Sequence, residues 1–268
     1  AYVGVGESGD VVSTRTAEPT WQRIRINAGG SRLTVRAEGA APVKLLSWRL
    51  MRDAAGVRYV NLGVPGATVE TAEGWRDAFF KADIQHLSPD LIVVGYGTND
   101  AFDDQLDPEA YIKAAGSLIA RLRSAAPNAS LLLVGPPDVA RLPSYAARDG
   151  SHACRALTAE ERVSYVRRLQ ARSPRLARWH PPLKLRAVRR ALQVVASRER
   201  AFFWDWAKAM GGPCSIHAWV HASPPLAAED HRNFTAEGAR KSARMLFREL
   251  MDAYEAYRVT RASANAQN

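Results

Sequence analysis

The rhythm of apolar and polar positions changes near residue 57. Before it, "WQRIRIN", "SRLTVRAEG" and "APVKLLSWRL" are short alternating runs cut by Gly, Pro and Ala, which predicts antiparallel β structure over 1–57. After it, "VRYVNLG", "LIVVGYG", "SLLLVG" and "AFFWDW" are apolar runs ending in Gly or a polar residue. Longer helical patterns separate them. "DPEAYIKAAGSLIARLRSAAP" opens on an Asp cap and closes on Pro, and "PPLKLRAVRRALQVVASRERA" is a second such helix. In the last segment, Thr235 predicts an N-cap, with Ala239, Ala243, Leu246, Phe247, Leu250 and Tyr254 following at helical spacing.

Strands alternating with helices predict an α/β fold, a three-layer sandwich around a parallel sheet of about four strands over 58–257. Right-handed crossovers then put the strand C-termini on one edge, where sites form. The expected division is a β module at 1–57 and an α/β domain at 58–268. Residues 141–180, rich in Arg and holding Pro143 and Pro174, read as a loop and a basic helix. A solvated insertion is the first reading of them and a lid the second.

Composition narrows the class. The 268 residues are 47% hydrophobic and 24% charged, as in globular proteins, and no apolar run approaches the ~18 residues of a membrane span. No signal peptide is visible, and the chain opens on Ala1 rather than Met, which reads as a processed or truncated product. The net charge of +10 comes mostly from arginine. An arginine-rich proteome explains it; so does attraction to a polyanion such as an acidic cell-wall glycan. Nucleic acid is not expected, because no zinc-finger, RNP or helix-turn-helix pattern is present. Cys154 and Cys214 lack metal-ligand spacing and read as two unrelated thiols, although an oxidising compartment would permit a bridge.

Three segments carry chemistry. "LIVVGYGTND" delivers Asn99 to a strand end, where its amide can donate to a developing oxyanion. In "NLGVPGATVE", Gly66 follows a predicted strand and opens a helix, and without a Cβ it lets a substrate oxygen approach its N–H. "DHRNFT" places Asp230 just before the last helix. Together they resemble the SGNH (GDSL-like) hydrolases: Gly66 matches the second family block, Asn99 in "GTND" the third, and "DHRNFT" the fifth. "GVRYVNLGVPGATV", "GPPD", "WHPPLKLRAV", "FFWDWAKAMGG" and "DHRNFTAEGARK" are similar in order and spacing to the branch of peptidoglycan O-acetylesterases with an inserted carbohydrate-binding-like β module.

That resemblance implies a flavodoxin-like hydrolase fold, with residues 1–57 as part of the inserted β-sandwich. It also implies an oxyanion hole from the Gly66 N–H, the Asn99 amide and the N–H of a serine nucleophile, and an Asp-x-x-His pair acting as in any Ser-His-Asp triad. No cofactor or metal is implied. The implied partner is an acetylated polysaccharide or peptidoglycan, and the implied location is periplasmic or secreted.

The chain departs from the family pattern twice. The Gly-Asp-Ser nucleophile block is not found. Ser8 in "GESGD" is followed by β-like rather than helical sequence, and Ser151 in "DGSH" lies in the insertion with its residues in the wrong order. The expected account is that the chain begins inside the β module. Second, Asn233 stands where the histidine belongs, and an amide has no useful basicity near neutral pH. His231 could replace it only if the loop were rebuilt, and otherwise reads as a surface histidine. His217 and His221 read as loop residues that could fold back over the site. Trp204 and Trp206 read as core and rim packing, and Trp21 and Trp48 as core of the β module. Three functions stay open: O-acetyl ester hydrolysis, a catalytically inactive glycan-binding protein, and O-acetyl transfer.

Overall fold

The computed structural model describes residues 2–5, 8–16, 21–22, 24, 32–40, 42–44, 49–51, 54–147 and 152–265. Most of "WQRIRIN", part of "APVKLLSWRL" with Trp48, and Ser151 lie outside them. The chain divides into two compact units, Ala1–Leu62 and Gly63–Asn268.

In the first unit, β1 (Tyr2–Val5), β2 (Ser8–Val11) and β3 (Leu33–Arg36) form an antiparallel sheet in the order β2-β1-β3. Ser8 therefore belongs to a ladder, facing Val5, and not to a strand-to-helix turn. Trp21 is half-buried, with the Arg49 guanidinium 4.4 Å from its ring centroid.

The second unit is an α/β sandwich. Helices α1 (Val69–Glu73) and α2 (Asp77–Leu87) precede β4 (Leu91–Val94). Helix α3 (Pro108–Ala125) starts as its sequence predicts: Asp107 caps it by accepting the Glu109 N–H, and Pro108 occupies the first turn. Its residues Tyr111, Ala115, Leu118 and Leu122, three and four apart, are buried. β5 (Ser130–Val134) pairs in parallel with β4 on one side and with β6 (Phe202–Trp204) on the other. Its central position buries both faces: Leu131 and Leu133 enter the core shared with α3, and Leu132 on the opposite face is buried as deeply. Between β5 and β6 come α4 (Ala159–Val163), α5 (Tyr165–Gln170) and α6 (Leu185–Arg198); after β6 come α7 (Trp206–Met210), α8 (Ser215–Val220) and α9 (Ala236–Asn265).

Several expectations need correction. The parallel sheet has three strands among the described residues, not four. "VRYVNLG" forms no strand of the sheet, and Val57 and Tyr59 are 98% and 86% exposed, because an apolar run becomes a strand only where a neighbouring strand completes its ladder. β4 is consequently an edge, and its Leu91 and Val93 are exposed.

Thr235 does cap α9, its hydroxyl accepting the Gly238 N–H, but Phe247 and Tyr254 of the expected apolar face are exposed. The packed face is instead Gly238, Ser242 and Met245. A Cβ on Gly238 would lie 1.8 Å from the Leu226 carbonyl oxygen, so only glycine lets the helix sit this close.

The stretch 141–180 is not a solvated insertion. Leu157, Tyr165 and Leu176 form a small core of their own, and buried Glu161 pairs with Arg178 at 2.9 Å. Residues Arg141 and His180 exchange two backbone hydrogen bonds, and Cys154 is joined to Cys214 by a disulfide. The cysteines are thus a bridge, which ties this stretch to the start of α8. No helix among the described residues is long and apolar enough to cross a membrane.

Candidate active site

Val64–Ala67 form a tight turn closed by the Ala67 N–H donating to the Val64 carbonyl. Pro65 at its second position and Gly66 at φ +80° at its third suit a type II turn, which explains the glycine. No strand runs directly into Gly66 among the described residues, contrary to expectation. Its N–H takes part in no hydrogen bond among the described residues.

Gly66 and Asn99 lie side by side in the fold. The Asn99 amide donates to the Ala67 carbonyl at 3.0 Å, leaving its second N–H free. Asp100 locks this pairing. Its buried carboxylate accepts the Val69 N–H at the start of α1 and the Gly97 N–H, each at 3.1 Å. Burial raises its pKa, against the lowering effect of those donors. Gly97, at φ +111°, lets the loop pass beside α6; a Cβ there would meet Val188 at 2.7 Å.

The third segment closes on itself. The Asp230 carboxylate accepts the Arg232 and Asn233 N–H groups at 2.9 and 3.0 Å, and the Asn233 side-chain amide at 2.5 Å. Partial burial pushes Asp230 up, but the Asn233 and Arg232 donors outweigh it and hold the carboxyl below the usual range. The side chain bonded to the aspartate here is thus an amide. Arg232 joins this loop to the Asn99 segment: its guanidinium lies 3.8 Å from the ring centroid of Phe102, at the end of the 3-10 turn that follows Asn99.

His231 is not a surface residue. It is 3% exposed, at φ +57°, and stacked on Trp179 at 3.6 Å between ring centroids. Its Nδ1 donates to the Glu229 carbonyl, so its Nε2 accepts the His217 Nδ1–H at 2.9 Å. Burial pushes its pKa down, and both ring nitrogens are engaged. His217 lies within α8 and His221 caps its C-terminus, so neither is in a free loop. Trp204 is buried and stacks on Trp206, which stacks on Phe234.

Asp138, from "GPPD" at the end of β5, anchors α8. It accepts the Ile216 N–H at 3.0 Å and the Ser215 hydroxyl at 3.3 Å. Burial raises its pKa to about 6. A carboxyl whose folded pKa lies above its unfolded value costs stability as pH rises through that window, because the folded state holds the proton longer. The chain should therefore lose, through Asp138, on the order of 2 kcal/mol between pH 4 and pH 6. Asp138→Asn should show a smaller change in unfolding free energy between these pH values in urea titrations. An unchanged difference would exclude Asp138 as the source.

The chain belongs to the GDSL-like lipase/acylhydrolase family, whose model matches residues 28–240. Among solved structures it is similar to a peptidoglycan O-acetylesterase, with 26% identity and a TM-score of 0.54 over 71% of this chain and 45% of the other. It thus spans less than half of that protein's length. It is also similar to a lipase/acylhydrolase from Enterococcus faecalis (17% identity, TM-score 0.41, 69% and 71% covered). A third is an acetyl xylan esterase (13% identity, TM-score 0.43, 70% and 78% covered). No curated protein matches the chain.

Proposed function

We propose that this chain is the glycan-binding hydrolase domain of an O-acetyl esterase acting on a cell-envelope polysaccharide, with a weakened catalytic apparatus. The hydrogen bond from the Asn99 amide to the Gly66 turn carries the reading. It supports a pocket in which the Gly66 N–H and the remaining Asn99 N–H receive an acyl oxygen, the arrangement that stabilises an oxyanion. Likeness to a peptidoglycan O-acetylesterase supports an acetylated glycan as substrate. The charge of +10 suits an acidic polymer, and the Cys154–Cys214 disulfide suits a periplasmic or secreted location. Residues 1–57 fit the role of part of a β module attached to the hydrolase domain 58–268.

Inactive glycan binding is the second reading, favoured by the Asp230–Asn233 bond. Asp230 orients an amide that cannot take a proton, and His231 has no free lone pair to replace it. The two readings share the pocket and differ in turnover. The test is binding of O-acetylated peptidoglycan fragments and of the same fragments after mild alkaline de-O-acetylation, with acetate release followed in parallel. The acetylated form is expected to bind more tightly, and Asn99→Ala to remove the preference. Equal affinity for both forms would sink the pocket assignment, whatever the acetate signal.

A further inference from the structure

Arg232 bridges two parts of the candidate site, and its charge is uncommitted among the described residues. Its main-chain N–H is fixed by Asp230, and its guanidinium lies over the Phe102 ring, 3.8 Å from the centroid. Among the described residues, no hydrogen bond or ion pair engages that guanidinium. Its neighbours differ. Arg141, on the same Phe102 ring at 5.3 Å, is spent on Asp104, the Phe102 carbonyl and Tyr165. Arg178 and Arg189 are paired with Glu161 and Asp205. The nearest carboxylate to Arg232, Asp230, has its oxygens occupied by Asn233 and two main-chain donors. Asp103, next to Phe102, is exposed and accepts the Gln105 N–H.

We infer that Arg232 is a specificity residue that reads a carboxylate on the sugar carrying the acyl group. A guanidinium stacked on an aromatic ring keeps its N–H donors free around its edge, in one plane, and that fork matches the two oxygens of a carboxylate. Stacking removes much of the side chain's freedom before binding, so less entropy is lost when an anion docks. Burial and the positive charge of Arg141 both lower the Arg232 pKa, which marks a position where an arriving anion is welcome. Phe102 follows Asn99 by three residues, and Arg232 follows Asp230 by two, so the Arg232–Phe102 contact links the two loops that carry the candidate site residues.

This inference rests on the proposed glycan reading, and the experiment separates the two. The probes are an O-acetylated N-acetylmuramic acid disaccharide with a free lactyl carboxylate, and the same disaccharide with that carboxylate reduced to the alcohol. Calorimetric titration of the unmodified chain is expected to give roughly tenfold or tighter binding of the carboxylate form, as charge-assisted bonds imply. Arg232→Gln should erase the difference between the two forms. Arg232→Lys should keep part of it, with a steeper loss at high salt. Equal binding of the two probes by the unmodified chain, or a preference that survives in Arg232→Gln, overturns the inference alone. If neither probe binds, the glycan reading falls and takes this inference with it.

Discussion

A variant that carries Asn233→His and a Gly-Asp-Ser segment joined ahead of Ala1 is expected to release acetate far faster than either single change allows. On the proposed reading these residues hold no Gly-Asp-Ser block, and Asn233, which is bonded to Asp230, takes the position of the base. A serine without a base and a base without a serine are each nearly inert. In a serine protease triad, loss of the histidine alone costs roughly a million-fold in kcat, and loss of more members costs little further. The unmodified chain and each single variant should therefore stay near the level that oxyanion donors and binding provide, and the gain should come in one step. Acetate release from acetylated peptidoglycan under single-turnover and steady-state conditions measures this. Ordinary enzyme rates from Asn233→His alone would mean that a nucleophile is already present. Ser8→Ala would then be the next variant, since Ser8 is the serine whose setting most resembles the family motif. His231→Ala should not act as a base deletion: it removes a ring packed on Trp179 and bonded to His217, and its cost should appear in stability.

Reducing the Cys154–Cys214 bridge should cost the domain about 4 kcal/mol, the loop-closure entropy expected for a separation of 60 residues. For a domain of this size that is roughly a 10 °C fall in Tm. The effect should centre on the site. The bridge joins the 141–180 stretch to the turn before α8, and this stretch supplies Trp179 beneath His231. Asp138 holds the other side of the same turn through Ile216 and Ser215. Cys154→Ser with Cys214→Ser should lower Tm by the same amount as dithiothreitol, and hydrogen exchange should rise in α8 and in residues 229–233. A Tm unmoved by reductant would show that the packing of Leu157, Tyr165 and Leu176 suffices to hold the stretch.

The helices and the central strand were legible because their signals are local. The Asp107 cap, the spacing of Tyr111, Ala115, Leu118 and Leu122, and the run Leu131–Leu133 each depend on neighbours within a few residues. Gly66, Asn99 and Asp230 were legible as types, because a turn glycine, a strand-end amide and a loop carboxylate recur at recognisable spacing. Their surroundings were not. Whether "VRYVNLG" pairs, whether two cysteines 60 residues apart meet, and whether His231 faces water all depend on contacts between distant segments.

By itself the sequence determined the α/β class, the cap and course of α3, and which residues are candidates for the site. Only the tertiary structure decided that Asp100 ties the Gly66 and Asn99 segments together, that His231 is spent inside the fold, and that Arg232 stands on Phe102 with its charge unpaired. The physical reason is range. Propensity and capping act over a single turn of chain, whereas a buried carboxylate, a disulfide or a stacked ring takes its meaning from partners that only the folded topology brings within a few ångströms.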